Sequence, residues 1–334
     1  MPDENHGGSV MPLLLIVLDG VCNNEYEHIE SLKHAIRRGS RNNTPLGMET
    51  DSLNCILTML GVSKEHIPSG RAYLEALAAG LYVGPHDVVL RCNAIKTDRG
   101  ALVSSCHTVE PVGIDGDRYL LKHLSGHKYL LVIKDAAMHL DSMRTHPPHQ
   151  NIGRTMDTIT PYCGDDPIQR ILDDLVNRGL FPWGQAGKQT LPEYVKLHGI
   201  NGAVVARTEI VVGMARAMNM HVETPNGATG DVDTDLTSKL DAALELCKDF
   251  NFVMLHVNGA DESAHRINER EKVVFIKKID EQVLKRVTSD PIKGLSIVVS
   301  ADHETSAQTG CHINSETDYF ILNEEQGCDT WLKR

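Results

Sequence analysis

Residues 12–20 read PLLLIVLDG, an almost continuous apolar run that ends in Asp19 and Gly20. Such a run is typical of a parallel strand that is buried on both faces of a sheet. Three later segments have the same pattern: Gly202 to Ala206, Phe252 to Val257 and Leu295 to Ser300. The sequence therefore predicts four buried strands.

Segments with helical spacing of apolar side chains separate the later strands. They cover Ile210 to Met218, Asp235 to Phe250 and Asn268 to Val287. This alternation predicts an α/β fold with a mostly parallel sheet flanked by helices. Ligands of such folds bind at the carboxyl ends of the strands. Because three of the four predicted ends carry Asp or His, we expect a functional site there.

The pattern changes between about Tyr82 and Asp141, where short strands alternate with Gly-rich and Asp-rich turns. The predicted strands are Val88 to Cys92, Leu102 to Ser104 and Tyr129 to Ile133. We therefore expect a smaller α+β cap domain at 73–152, inserted into a main domain formed by 1–72 and 153–334. Ser69-Gly70 and Asn151-Ile152-Gly153 are the predicted hinges, because glycine tolerates the backbone rotation that domain motion requires.

The charge balance excludes two classes of partner. The 334 residues include 33 Lys and Arg against 45 Asp and Glu, which gives a net charge of −12. A nonspecific binder of nucleic acid or of an anionic membrane needs clustered positive charge, so neither partner is expected. The longest apolar run, Pro12 to Leu18, is far shorter than the roughly 20 residues that span a bilayer.

The cysteines and the start of the chain bear on the compartment. Residues 1–10 lack the basic start of a secretory signal, and the eight cysteines include no Cys-x-x-Cys pair. The cysteine spacing favours reduced thiols over a disulfide framework. Together with the start of the chain, it favours a cytoplasmic location.

Six candidate metal ligands follow the predicted strand ends: Asp19, Asp261, His265, Asp302, His303 and His312. A mixed carboxylate and imidazole set suits Zn²⁺ or Mn²⁺ better than Mg²⁺ or Ca²⁺. Six ligands are too many for one tetrahedral ion and suit two. A pair of ions about 4 Å apart would hold the attacking and leaving oxygens of a transferring phosphoryl group.

Each ligand also has a plainer explanation. An aspartate at a strand end, such as Asp19, is usually a turn or a helix cap. Asp261 and His265 are spaced as a solvated pair on a helix face would be. The joint occurrence of the six residues at predicted strand ends is what favours a metal site.

Several motifs together resemble one family. They are Val17 to Gly20, Gly227 to Thr234, His256 to His265, Ser300 to His312, Ser69-Gly70-Arg71 and Gly84 to Asn93. In these motifs the chain resembles the cofactor-independent phosphoglycerate mutases of the archaeal type, which belong to the alkaline phosphatase superfamily. The resemblance implies an alkaline-phosphatase-like fold and a phosphoenzyme. It also implies that Asp261, His265 and His312 bind one ion, while Asp19, Asp302, His303 and the nucleophile oxygen bind the other.

The nucleophile implied by the resemblance is a hydroxyl before the helix that ends at Leu60-Gly61. Counting back without gaps leads to Ser52, whereas matching the Ser-Asp pair of the family leads to Thr50. We favour Ser52. Either hydroxyl would lie at a helix N-terminus, where unpaired N–H groups favour an anion. The alternative is that these hydroxyls only cap the helix.

Seven residues are substrate-binding candidates by the resemblance: Arg71, Arg91, Asn93, Arg144, His146, His149 and Arg154. Two stretches depart from the family pattern, because Ser104 to Thr108 and Trp183 to Gly187 carry no arginine. A phosphoglycerate needs cationic partners for both its carboxylate and its phosphate. The departures therefore bear on the substrate.

Three functions remain open. The first is an isomerase of glycolysis that converts 3-phosphoglycerate to 2-phosphoglycerate, with a cap that keeps water out while the substrate reorients. The second is a phosphatase or phosphomutase of the same superfamily that acts on another small phosphomonoester. The third is a noncatalytic, metal-stabilised domain that binds a ligand.

Overall fold

The computed structural model describes residues 11–323 except 108, 109, 111 and 291, together with Cys328 and Trp331. The chain divides into a main unit, Met1–Ile67 with Leu191–Arg334, and an inserted unit, Pro68–Thr190. Within the described residues, every helix is too short or too polar to cross a membrane.

Sixteen strands are assigned in the described residues. In chain order they are β1 (Leu13–Leu18), β2 (Arg37–Arg41), β3 (Val88–Ala94), β4 (Lys96–Asp98), β5 (Ala101–Ser104), β6 (Ile114–Asp115), β7 (Tyr119–Ser125), β8 (Lys128–Ile133), β9 (Leu180–Gly187), β10 (Gly202–Val205), β11 (His221–Glu223), β12 (Phe252–Val257), β13 (Ser296–Ser300), β14 (Glu304–Thr305), β15 (His312–Ile313) and β16 (Thr317–Ile321).

The α-helices of the same residues are α1 (Ser52–Met59), α2 (Ala72–Ala78), α3 (Met156–Ile159), α4 (Asp166–Asn177), α5 (Tyr194–His198), α6 (Glu209–Ala217), α7 (Leu236–Leu246), α8 (Gly259–His265), α9 (Glu269–Ile279) and α10 (Lys285–Ser289). A π-helical segment, Asp280–Leu284, joins α9 to α10, so the single helix predicted over 268–287 has a local irregularity.

The main unit contains a seven-stranded sheet in the order β11-β10-β12-β1-β13-β16-β2. The first five strands are mutually parallel, and β16 runs antiparallel to β13. Leu14, Ile16 and Leu18 of β1 pack in one core cluster with the apolar faces of α7 and α9. The prediction of a mostly parallel α/β sheet flanked by helices is confirmed, and each of the four predicted strands matches an observed strand to within one residue at either end.

The order of the central strands decides where the site lies. Because β12, β1 and β13 are neighbours, their carboxyl ends meet at one edge of the sheet. Gly20 follows β1 with φ +77°, and a Cβ at this position would lie 2.7 Å from the Cα of Asp261. Only glycine allows the start of α8 to approach the turn after β1 this closely.

The inserted unit is built on an antiparallel sheet in the order β6-β7-β8-β3-β9. Its boundaries differ from the predicted 73–152, because residues 153–190 supply β9, which pairs with β3, and α4, which packs on β9. The predicted hinge at Asn151-Ile152-Gly153 therefore lies inside the unit. The other predicted hinge, Ser69-Gly70, lies just beyond the boundary between Ile67 and Pro68.

Candidate metal centre

The six predicted ligands lie together at the carboxyl edge of the main-unit sheet. Asp19, Asp261, Asp302 and His303 are buried. Two sets of ligand atoms each lie within 4.8 Å of one another: the first is Asp261, His265 and His312, and the second is Asp19, Asp261 and His303. Asp261 is therefore common to both sets. The carboxylate of Asp302 adjoins the second set, with its Oδ2 3.4 Å from Nε2 of His303.

Main-chain carbonyls determine the tautomers of two histidines. Nδ1 of His265 donates a hydrogen bond to the carbonyl of Gly310 at 2.8 Å, and Nδ1 of His312 donates to the carbonyl of Thr50 at 2.7 Å. A neutral imidazole that donates from Nδ1 presents the lone pair of Nε2. The two Nε2 atoms lie 3.1 Å apart, so both rings direct a possible ligand atom to the same point.

A threonine orients the third histidine. The hydroxyl of Thr305 donates to Oδ1 of Asp261 at 2.6 Å and lies 3.3 Å from Nδ1 of His303, from which it can accept. His303 then also presents Nε2, which lies 3.7 Å from Oδ1 of Asp19. Partners of this kind fix ligand orientation in metal sites.

The buried carboxylates have oxygens that the protein does not satisfy. Oδ2 of Asp19 lies 3.0 Å from Nε2 of His256, but Oδ1 of Asp19 and both carboxylate oxygens of Asp302 meet no hydrogen-bond donor among the described residues. Burial, together with the nearby carboxylates of Asp302 and Asp261, raises the pKa of Asp19. Unpaired buried carboxylates are costly, and a divalent cation would satisfy both the oxygens and the excess charge. The donor set therefore fits a metal ion.

One histidine and one carboxylate form an ion pair on α8. The hydrogen bond from His265 to Asp261, with Nε2 3.2 Å from Oδ2, raises the pKa of His265 to about 9. Burial acts to raise the pKa of Asp261, but the contact with His265 holds it below its ordinary value. Since the pKa of His265 lies above its ordinary 6.5 and that of Asp261 lies below its ordinary 3.8, the pair stabilises the metal-free protein fully between these two values, and this stabilisation is lost as the pH rises through about 9 or falls below 3.8.

A metal ion that binds Nε2 of His265 must displace its proton. We expect binding of Mn²⁺ at about pH 7.5 to release the proton of His265, and the contribution of His265 to this release to decrease as the pH rises towards about 9. Titration calorimetry in buffers of different protonation enthalpy measures it, with His265→Gln as the variant that should release fewer protons. Equal heats in all buffers at the lower pH would contradict this assignment.

The two candidate hydroxyls have different surroundings. Ser52 is the first residue of α1, and its Oγ lies 3.3 Å from Nε2 of His303. The hydroxyl of Thr50 instead lies 3.1 Å from that of Thr44. Neither is the N-cap, because Asp51 caps α1 through the N–H of Asn54. Ser52 is therefore the candidate hydroxyl that contacts a ligand side chain.

Three supporting residues were missed in the sequence. His256 approaches Asp19, Thr305 links His303 to Asp261, and Asn43 donates to the carbonyls of Ala301 and Asp302, each at 3.1 Å. A histidine inside the apolar strand β12 is a signal that could have been found. Asn43 has no comparable signal in the sequence.

Two of the predicted substrate residues, Arg71 and Arg91, share a buried carboxylate partner in the inserted unit. The buried carboxylate of Glu75 accepts from Nε of Arg71 at 2.8 Å and from Nε of Arg91 at 3.0 Å. Although burial acts to raise it, the two arginines hold the pKa of Glu75 below its ordinary value. The guanidinium of Arg91 stacks 4.2 Å from the ring centre of Trp183. Together these four side chains form the arginine cluster.

The other predicted substrate residues differ in their relation to this cluster. Trp183 donates its indole N–H to Asn93 at 2.9 Å and has the ring of His149 5.4 Å from its own. Arg144, His146 and Arg154 have exposed side chains and are not members of the cluster.

Sequence comparisons with known proteins place the chain in a family of metalloenzymes. Residues 11–317 match the protein family that is described as the Metalloenzyme superfamily. The chain is similar to the 2,3-bisphosphoglycerate-independent phosphoglycerate mutase of Methanothrix thermoacetophila, at 27% identity over 88% of this chain and 82% of the relative. The resemblance to the archaeal enzymes noted in the sequence is thus confirmed.

Two solved structures share the fold. A protein from Pyrococcus horikoshii matches with a TM-score of 0.68 at 20% identity, over 96% of this chain and 92% of that one. The cofactor-independent phosphoglycerate mutase from Thermoplasma acidophilum matches with a TM-score of 0.54 at 18% identity, over 94% and 90%.

Proposed function

The chain belongs to the metalloenzyme superfamily, and we propose that it transfers the phosphoryl group of a small phosphate ester, converting 3-phosphoglycerate to 2-phosphoglycerate through a phosphoenzyme. One observation carries the proposal: the Ser52 hydroxyl lies 3.3 Å from Nε2 of His303, beside buried carboxylate oxygens that lack protein donors. A nucleophile next to a cation site is what phosphoryl transfer requires. The similarity to the Methanothrix enzyme supports the substrate.

We propose that two divalent ions, Mn²⁺ or Zn²⁺, bind this edge of the sheet. Asp261, His265 and His312 would hold one ion. Asp19, Asp302 and His303 would hold the other, with Asp261 near enough to contribute to both. When bound, the ions would offset the charge of the phosphoryl oxygens and favour the deprotonated hydroxyl.

The residues of the main unit then have distinct roles. Ser52 Oγ loses its proton and forms a bond to phosphorus as the ester P–O bond breaks, and the freed substrate oxygen takes up a proton. The Oγ–P bond then breaks as a different hydroxyl of the substrate, which gives up its proton, takes the phosphoryl group, and Ser52 is protonated again. His256 holds one oxygen of Asp19, so that the other oxygen remains available to a cation. Thr50 supports the site through its carbonyl, which orients His312. Its hydroxyl has no part in the proposed reaction.

The arginine cluster is proposed to bind the anionic groups of the substrate. Glu75 accepts from the Nε atoms of Arg71 and Arg91, which orients both guanidinium groups. Asn93 and His149 adjoin the cluster through Trp183, whereas Arg144, His146 and Arg154 remain substrate candidates on the resemblance alone.

Since the eight cysteines are free thiols, we propose a cytoplasmic location, with neither nucleic acid nor membrane as a partner.

Arg91→Lys is expected to raise KM for 3-phosphoglycerate by about 10-fold or more with a smaller change in kcat, because lysine cannot both stack on Trp183 and keep the planar fork. Steady-state kinetics measures this split. Arg178→Lys is the matched control, since that arginine of the inserted unit pairs with Asp174 at an exposed position. An unchanged KM in Arg91→Lys would exclude Arg91 from the substrate site.

A specific observation favours a second candidate, a phosphatase or phosphomutase for another phosphomonoester. Trp183 covers Arg91 with an aromatic ring, at the segment where the family resemblance implies an arginine. A single assay separates the candidates. The protein is incubated with Mn²⁺ and 3-phosphoglycerate and coupled to enolase, and 2-phosphoglycerate is expected to form. Hydrolysis of p-nitrophenyl phosphate without 2-phosphoglycerate would favour the phosphatase, and inactivity on both would favour a noncatalytic domain.

A further inference from the structure

A lysine outside the predicted ligand set is buried beside the candidate metal centre. Lys272 belongs to α9, and its side chain is fully buried. Its ammonium group donates to the carbonyl of Gly20 at 2.8 Å and to the carbonyl of Thr305 at 2.7 Å. It also forms an ion pair with Glu25 at 2.7 Å. A lysine is rarely buried unless such partners compensate for its lost hydration.

The two carbonyls belong to the segments that carry the ligands. Gly20 follows Asp19 directly, and Thr305 lies two residues after His303. The carbonyl of Gly20 also accepts the N–H of Thr305 at 3.1 Å, so the lysine reinforces an existing contact between these segments. The side chain of Thr305 in turn donates to Asp261 at 2.6 Å.

The helix that carries Lys272 adds the third ligand segment. α9 packs against α8, which carries Asp261 and His265. The side chain of Lys272 thus joins the segments that follow β1 and β13, and its helix packs against the segment that follows β12. Its partners are the two main-chain carbonyls, Glu25 and the sulfur of Cys22 at 3.6 Å, so all six candidate ligand side chains remain available to a cation.

The positive charge of Lys272 also affects the stability of the metal-free site. Three buried carboxylates, Asp19, Asp261 and Asp302, converge at this edge and repel one another. Such repulsion makes this arrangement of the strand ends less stable when no cation is bound. A buried cation that holds two of the three segments opposes this loss of stability.

We propose that Lys272 is a positioning residue that keeps the metal site preformed in the metal-free protein. This inference rests on the proposed function, because it assumes that the six ligands bind divalent ions. Lys272 acts through Gly20 and Thr305 and contacts neither an ion nor the substrate.

The test removes the lysine without leaving a charge unpaired. In Lys272→Met combined with Glu25→Gln, the dissociation constant for Mn²⁺, measured by calorimetry, is expected to rise about 10-fold to 100-fold, the loss typical of residues that support metal ligands. The visible absorption of the Co²⁺-loaded protein is expected to change in energy and intensity, which a general loss of stability would not cause. Circular dichroism checks that the metal-free variant is folded.

A matched control and a second variant complete the design. Arg286→Met with Asp241→Asn removes another ion pair of the main unit, between α10 and α7, and is expected to leave both readouts unchanged. If the methionine variant does not fold, Lys272→Gln with Glu25→Gln keeps polar groups in the interior and should weaken binding in the same direction. A folded variant with wild-type affinity and spectrum would overturn the role of Lys272 alone. Wild-type protein that bound no Mn²⁺ would overturn the proposed function as well.

Discussion

Ser52→Ala is expected to abolish phosphoryl transfer, lowering kcat by roughly 10⁴-fold or more, as the loss of a covalent nucleophile does in other enzymes. The hydroxyl of Ser52 lies 3.3 Å from Nε2 of His303, so its removal takes away the only proposed acceptor of the phosphoryl group on the protein. Formation of 2-phosphoglycerate from 3-phosphoglycerate measures the loss. Mass spectrometry of the quenched reaction should detect a phosphorylated peptide containing residue 52 in the wild type only.

Thr50→Ala is the matched control, two residues away. Its hydroxyl contacts Thr44, and its main-chain carbonyl, which accepts from His312, survives the substitution. We expect kcat within a few-fold of the wild type. The reverse outcome, an active Ser52→Ala and an inactive Thr50→Ala, would reassign the nucleophile. Full activity in both variants would contradict the phosphoenzyme.

Asp261→Asn is expected to weaken the binding of Mn²⁺ by more than about 100-fold, beyond the loss typical of residues that merely support ligands. Asp261 is the carboxylate common to both sets of ligand atoms, so its neutralisation affects both at once. The amide keeps an oxygen that can accept from Thr305, and the metal-free fold should therefore persist. At a free Mn²⁺ concentration 100 times its dissociation constant, the wild type gains about 2.7 kcal/mol of unfolding free energy, and the variant should gain far less.

Glu262→Gln is the control for this change, since it removes a carboxylate from the next position of α8. Glu262 is a partly buried residue whose contact is with the amide of Asn258. Metal content after gel filtration and thermal denaturation with and without Mn²⁺ should match the wild type. Normal metal content in Asp261→Asn would show that the two sets of ligand atoms do not describe the binding site.

Four strands of the main-unit sheet, β1, β10, β12 and β13, were predictable because their signals are local, whereas β2, β11 and β16 were not predicted. PLLLIVLDG and the three similar segments are apolar because each strand is covered on both faces, and their ends are defined by the polar residues that follow. The boundary of the inserted unit was not predictable in this way. It depends on the pairing of β9 with β3, two strands about ninety residues apart that have no mutual pattern in the sequence.

The candidate ligands were predictable for the same reason as the strands, because their signals are local. The six predicted ligands all follow strand ends, and the structure places them near one another, five in the two sets of ligand atoms and Asp302 beside His303. Asn43, Thr305 and Lys272 support them through contacts between distant segments, which single-sequence patterns do not record. The preference for Ser52 over Thr50 gains support from the side-chain contacts, because of these two hydroxyls that of Ser52 lies near His303.

The two carbonyls that orient His265 and His312 differ in how much mutation they tolerate. A main-chain oxygen remains whatever side chain is attached, so position 50 can vary in evolution or in design while the ring of His312 keeps its orientation. Position 310 lacks this freedom. Gly310 has φ +71°, a conformation that other residues rarely adopt, so most replacements would strain the turn whose carbonyl accepts from His265. The orientation of His312 thus tolerates mutation at its acceptor residue, whereas the orientation of His265 depends on Gly310.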